Sequence, residues 1–269
     1  MAVRLPMYDW IEVRDATREL ESALQGALSA ALGLSDRDFR PWPEDGDLID
    51  TWCDPDLLLT QTCGYPLTHA LQGKVRLVGA PHYDADGCDG PFYCSQLVVR
   101  KDSPYQSLEN LRARRAVFNS PDSQSGMNTF RHAVAQLRAA QVFFSEVIES
   151  GAHLASLEAV AAGEAEIASI DAVCWSLASR ELPDLTQQLR PIARTAPAPG
   201  LPFITSNRFS DEEADLLADT VAEVLASAET LKVRERLGIV GFSKLTVEDY
   251  AGILAMEREA AELGYPALA

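Results

Sequence analysis

Short apolar runs alternate with stretches of helical periodicity from one end of the chain to the other. Leu57-Leu58-Leu59-Thr60, Val75-Arg76-Leu77-Val78-Gly79, the run from Ser95 to Arg100, Arg115-Ala116-Val117-Phe118 and the run from Glu166 to Ile170 read as buried strands. Around them, Ala16, Leu20, Leu24, Leu28 and Leu32 recur at the spacing of one helix face, and Gly33 supplies the cap that ends it. The pattern further predicts a first strand over 4–8, a short strand near Phe39, a short helix over 66–71, a helix from Met127 to about Ala139, a strand over 143–148, and a helix from His153 to Ala162 closed by Gly163. Ser210-Asp211-Glu212-Glu213 is a capping box opening a helix to about Ala228, and Thr246-Val247-Glu248-Asp249 opens another. Strands alternating with helices mean an α/β protein built from β-α-β steps.

Two stretches break this rhythm. The first is a Gly-rich segment near 84–94, and the second runs from Arg190 to Pro202 with four prolines and one glycine. If the chain changes domain at both, residues 1–92 and 200–269 form one lobe and 93–199 the other, with a cleft and hinge between them of the kind that small ligands occupy.

Charge narrows the partners. Forty acidic against 23 basic residues leave −17 over 269 residues, which repels phosphate backbones and anionic headgroups, so neither nucleic acid nor a membrane surface is expected. No run of about 20 apolar residues predicts membrane insertion. The first ten residues lack an apolar h-region, which points to the cytoplasm as written, and to the periplasm if the start is misassigned or processed. Cys53, Cys63, Cys88, Cys94 and Cys174 are odd in number and lack C-x-x-C spacing, so reduced thiols are expected, with no metal and no cofactor.

The sharpest chemical signal is the loop Asn119-Ser120-Pro121-Asp122-Ser123-Gln124-Ser125-Gly126 between a strand and a helix. The hydroxyls of Ser123 and Ser125, with the amides of Gln124, Ser125 and Gly126, would gather at the positive end of that helix and suit a tetrahedral oxyanion. An ordinary serine N-cap explains the same residues. The loop has neither the lysine of a Walker sequence nor the glycines of a dinucleotide fingerprint. Tyr8, Tyr65, Tyr93 and Asp171 stand at the ends of other strands, where open α/β sheets place ligands. Asp171 can accept from a ligand amine or cap the helix that follows it. His153, opening a helix after Gly151, can donate to an anion, and His82 is expected in a hinge-side loop. No G-x-S-x-G elbow supports a serine triad, and nothing places Cys63 beside a histidine.

Four stretches carry a resemblance: Leu58 through Leu67, Gly90-Pro91-Phe92-Tyr93-Cys94-Ser95, the serine loop, and Gly151 through Asp171. In their order, over about Leu5 to Ser206, the chain resembles the phosphate/phosphonate solute-binding proteins of ABC transporters, which have the type II periplasmic-binding fold. The resemblance implies two α/β lobes, each a mixed sheet flanked by helices, closing by hinge motion on a phosphate or phosphonate-like oxyanion. It makes Tyr93, Ser123, Gln124, Ser125 and Gly126 oxyanion contacts, Tyr65 a wall of the cleft, and Asp171 the holder of an amino group, with Tyr8 and His153 added by position. It implies an ABC permease as partner and binding rather than catalysis. Gln124 departs from the hydroxyl residue usual at its place. The alternative is a cytosolic enzyme on the same fold acting on a small metabolite.

Overall fold

The computed structural model describes residues 1–42, 47–137 and 142–269. In chain order the strands are β1 (Ala2–Arg4), β2 (Leu57–Gln61), β3 (Val75–Tyr83), β4 (Cys88–Asp89), β5 (Phe92–Tyr93), β6 (Ser95–Arg100), β7 (Arg115–Phe118), β8 (Glu146–Glu149), β9 (Ile167–Asp171), β10 (Leu189–Arg194), β11 (Ala198–Pro199), β12 (Phe203–Ser206) and β13 (Ile239–Ser243). The helices are α1 (Arg14–Leu32), α2 (Leu48–Trp52), α3 (Gly64–Thr68), α4 (Thr129–Gln136), α5 (His153–Ala162), α6 (Ala172–Glu181), α7 (Pro183–Thr186), α8 (Asp211–Ala226), α9 (Leu231–Leu237) and α10 (Ala251–Glu262).

The chain divides into two compact units. The first holds Met1–Asp84, Asp89–Pro91 and Pro199–Tyr250, and the second holds Ala85–Cys88, Phe92–Ala198 and Ala251–Ala269. The first unit carries a five-stranded sheet in the order β1-β2-β12-β3-β13. β1 and β2 run parallel, β12 is antiparallel to both β2 and β3, and β13 is antiparallel to β3. Every residue of β2 is buried, as expected of a strand covered on both faces, and Leu20, Leu24 and Leu28 are the buried face of α1.

The second unit carries another mixed sheet, in the order β10-β6-β9-β7-β8. β7 is parallel to β8 and β9, whereas β6 is antiparallel to β9 and β10. Its core packs Leu97 and Val99 of β6 and Ala116 of β7 against Phe130 and Val134 of α4, with Phe143 and Phe144 beside them. Short strands β4, β5 and β11 make a third sheet, in the order β11-β5-β4, in the stretches where the chain changes unit.

Several expectations shift. The last 19 residues do not stay with the first unit: Ala260 and Tyr265 are fully buried in the core of the second, beside Phe130 and Phe143. Apolar side chains at helical spacing say that α10 has a buried face but not which sheet receives it. The first strand ends at Arg4, with Pro6 just beyond, and the segment before Phe39 forms a 3-10 turn over Asp36–Asp38 rather than a strand. The helix before Leu71 begins at Gly64 and ends at Thr68. Ala139, the expected end of the helix after Met127, lies outside the described residues; α4 begins at Thr129, and Gln124–Asn128 form a π turn ahead of it. His82 lies within β3, not in a loop, and its Nε2 is 2.8 Å from Ser243 Oγ. The stretch 190–202 contributes β10 and β11 to sheets. Among the described residues no helix is long and apolar enough to cross a membrane.

Candidate functional site

The serine loop belongs wholly to the second unit and leaves the end of β7. Ser123 is extended and stands as N-cap, and its Oγ accepts from Gly126 N at 2.9 Å. The capping role expected of a serine at a helix start is therefore real, and it uses the Gly126 amide that the sequence offered to a ligand. The Ser123 hydroxyl keeps a proton to give, and Ser125 Oγ lies 3.5 Å away, with either of the two able to donate.

Ser125 faces His153, the first residue of α5, with 2.9 Å between Oγ and Nε2. Burial lowers the imidazole to about 4, so near neutral pH the ring carries no charge. Its Nδ1 is buried without a hydrogen-bond partner among the described residues. A serine at hydrogen-bond distance from a histidine is half of a nucleophilic pair. An imidazole with so little affinity for a proton is nevertheless a weak base at pH 7, and among the described residues no carboxylate orients its Nδ1.

A Cβ at Gly126 would run into Asn119 Oδ1 and come within 3.3 Å of His153 Cε1, so the Asn119 side chain, just after β7, would have to shift. Asn119 O accepts from Gly151 N at 2.8 Å, which ties together the two segments carrying the loop and the histidine.

The Gln124 side chain is engaged inside the second unit. The residue is fully buried: Oε1 accepts from Asn128 Nδ2 at 2.7 Å, and Nε2 reaches Met256 Sδ in α10 at 3.4 Å. Asn128 also donates to Ile253 O, and Arg131 donates to Asn128 Oδ1.

Asp171, at the end of β9, is 1% exposed and caps α6, with Oδ1 accepting from Val173 N at 2.7 Å and Cys174 N at 3.2 Å. Burial, then the Asp171 charge, pushes the Cys174 thiol well up, which keeps it protonated. Tyr93, in β5, is buried two residues before Ser95, which pairs with Asp171 across β6 and β9. The same register pairs Leu97 with Ser169. Directly paired residues share a sheet face, as do residues two apart, so Ser95, Ser169 and Asp171 all stand on the face that the serine loop covers.

Three hydroxyls on or beside that face were not singled out by the sequence. Ser95 Oγ, Ser169 Oγ and Thr129 Oγ1 all donate to Ser125 O, at 2.9, 2.6 and 2.9 Å. The available signal was a serine in each of two buried runs, opening Ser95-Gln96-Leu97-Val98-Val99 and inside Ile167-Ala168-Ser169-Ile170. Such positions ask for an internal acceptor.

Tyr8 and Tyr65 belong to the first unit. Tyr8 is buried edge-on against Tyr83, 5.2 Å between centroids, and Tyr83 Oη is 3.3 Å from Gln61 Nε2. Tyr65, in α3, stacks on His69 at 3.9 Å and 14°. Among the described residues no group of three or more His, Cys, Asp or Glu is arranged to hold a metal ion, and all five cysteines are free thiols.

Comparison with known proteins places this architecture. The Escherichia coli K12 phosphonates-binding periplasmic protein is 28% identical over 163 residues, 59% of this chain and 47% of that protein, so the match spans about half the relative's length. PhnD1 from Prochlorococcus marinus MIT 9301, solved with methylphosphonate, superposes with a TM-score of 0.72 at 16% identity, covering 93% of this chain and 94% of that one. A binding-protein component of an ABC phosphonate transporter from Pseudomonas aeruginosa superposes with a TM-score of 0.68 at 20% identity, covering 96% and 94%. At such identities the superpositions establish the type II periplasmic-binding fold. The model of the family described as "ABC transporter, phosphonate, periplasmic substrate-binding protein" matches residues 54–250, from just before β2 to the start of α10, and the chain belongs to that family.

Proposed function

We propose that the chain is a solute receptor that binds a phosphate- or phosphonate-like oxyanion and delivers it to an ABC permease. The observation that carries this reading is the pairing of Ser123 and Ser125 at the start of the π turn and α4, backed by a neutral His153. The two hydroxyls, with the amides of Gln124 and Ser125, supply donors without a formal positive charge, and the neutral imidazole backs Ser125 Oγ. A helix start adds its partial positive charge to them. A net charge of −17 does not oppose this, because repulsion is screened over about 8 Å at physiological salt while hydroxyl donors act at contact.

Tyr93 and Asp171 of the same unit join the proposed ligand set; Tyr65 is carried over from the family resemblance and Tyr8 by position alone. Asp171 is the group that would distinguish a ligand bearing an amine. The E. coli relative's name and the methylphosphonate held by PhnD1 support phosphonates as the ligand class. Titration calorimetry with methylphosphonate, inorganic phosphate and sulfate tests the reading. Saturable heat with the first or second is expected; no heat with any of them at millimolar concentration overturns it.

A further inference from the structure

The main-chain oxygen of Ser125 accepts three hydroxyl donors, from Ser95 in β6, Ser169 in β9 and Thr129, the first residue of α4 and one turn on from Ser125. All three hydroxyl residues are buried, Ser95 and Ser169 completely, and Ser95 Oγ and Thr129 Oγ1 are themselves only 3.3 Å apart. A carbonyl has two lone pairs, so three donors exceed what satisfying a buried oxygen requires. The excess points to a task beyond closing the core.

The peptide plane supplies that task. In a trans peptide the C=O of Ser125 and the N–H of Gly126 point in opposite directions. Fixing the oxygen on the sheet therefore fixes the Gly126 N–H the other way, onto Ser123 Oγ at 2.9 Å. A carbonyl loaded with donors makes the N–H of its own peptide a stronger donor, and a hydroxyl that accepts a strong hydrogen bond gives its own proton more readily.

We propose that Ser95, Thr129 and Ser169 are positioning residues for the anion loop: through the 125–126 peptide they orient and polarise Ser123 Oγ–H toward the bound oxyanion. They also hold the Ser125 carbonyl, which an anion would repel, against the sheet. The inference rests on the oxyanion reading for its ligand and on the structure alone for its peptide geometry.

The test pairs Thr129→Val, which keeps the shape and removes the hydroxyl, with Thr129→Ser, which keeps the hydroxyl, and adds Ser169→Ala. In the ligand-free protein the Gly126 amide proton, read by NMR, should move upfield in Thr129→Val and Ser169→Ala and stay near its wild-type position in Thr129→Ser. Methylphosphonate binding should weaken about five- to tenfold in the first two and little in the third, the scale of losing one buried hydrogen bond. Lowered thermal midpoints with the Gly126 shift and the affinity unchanged would mean that the hydroxyls only fill the core, and would overturn the proposal. Should wild-type protein take up no oxyanion, the receptor reading fails, while a moving Gly126 shift would still identify the peptide clamp.

Discussion

Ser125 Oγ and His153 Nε2 share a hydrogen bond of 2.9 Å in which neither partner is charged near neutral pH, since burial holds the imidazole down to about 4. Recognition of an anion by this pair therefore depends on where hydroxyl protons point rather than on ionic attraction. Ser125→Ala removes one donor and strands His153 Nε2; Ser123→Ala removes another and uncaps Gly126 N. Each should weaken methylphosphonate binding by about 1–3 kcal/mol, the range for truncating one side of a buried hydrogen bond. Calorimetry on the two variants checks this, and wild-type affinity in both would move the site away from the loop.

Asn119 Oδ1 stands where a side chain at 126 would begin. Gly126→Ala should accordingly cost about 1–3 kcal/mol of stability, the usual scale of overpacking a filled interior. Asn119→Ala should remove most of the collision, so the double variant should be more stable than the two single losses predict when added. Urea unfolding of the three variants measures this coupling. Simple additivity would show that the glycine is not under the asparagine.

Asp171 has a structural task, and its proposed ligand task can be separated from it. Asparagine caps helices about as well as aspartate, whereas alanine costs about 1 kcal/mol at such a position. Asp171→Asn should keep the thermal midpoint near wild type, and Asp171→Ala should lower it. If the carboxylate holds a ligand amine, Asp171→Asn should weaken 2-aminoethylphosphonate at least tenfold and leave methylphosphonate within about twofold, because only the first loses a charge-assisted hydrogen bond. Equal losses for both ligands would confine Asp171 to capping α6.

Among the thiols, Cys94 and Cys174 are buried, and burial is the main cause that raises both. Cys53 and Cys88 are partly accessible. Brief treatment with a maleimide at pH 7 should label Cys53 and Cys88, and unfolding in guanidinium should release the rest. Mass spectrometry of the labelled peptides reads the order, and early labelling of Cys174 would contradict its packing under Asp171.

The sequence made the strand-rich α/β class and the serine loop legible because both are local. β2, β6, β7 and β9 are short apolar runs bounded by turn residues, and Ser123 caps its own turn three residues along. What was hidden is long-range. Nothing in Ser210 to Ala269 says that α8 packs in one unit while α10 joins the other, since an amphipathic stripe carries no address. The same limit hid the partners of Gln124: Asn128 in the next turn and Met256, 132 residues away, meet its side chain. The roles of Ser95 and Ser169 were hidden for the same reason, because the oxygen they share belongs to neither strand.

His153 also makes a pH prediction whose sign is fixed. Its folded value of about 4 lies below the unfolded value near 6.5, so between those limits the unfolded chain binds the proton and the folded chain does not. Stability from this residue is intact above about pH 6.5 and is lost as pH falls toward 4, by an amount on the order of 3 kcal/mol. His82, lowered by burial too, titrates in the same direction and must be held constant. Comparing wild type with His153→Gln does so, since His82 is present in both. Urea midpoints at pH 7.5, 5.5 and 4 should converge between the two proteins as the medium becomes acidic, the wild type losing more than the variant. Parallel pH profiles would mean that the imidazole reaches water and that its bond to Ser125 Oγ is open to protonation in the ordinary range.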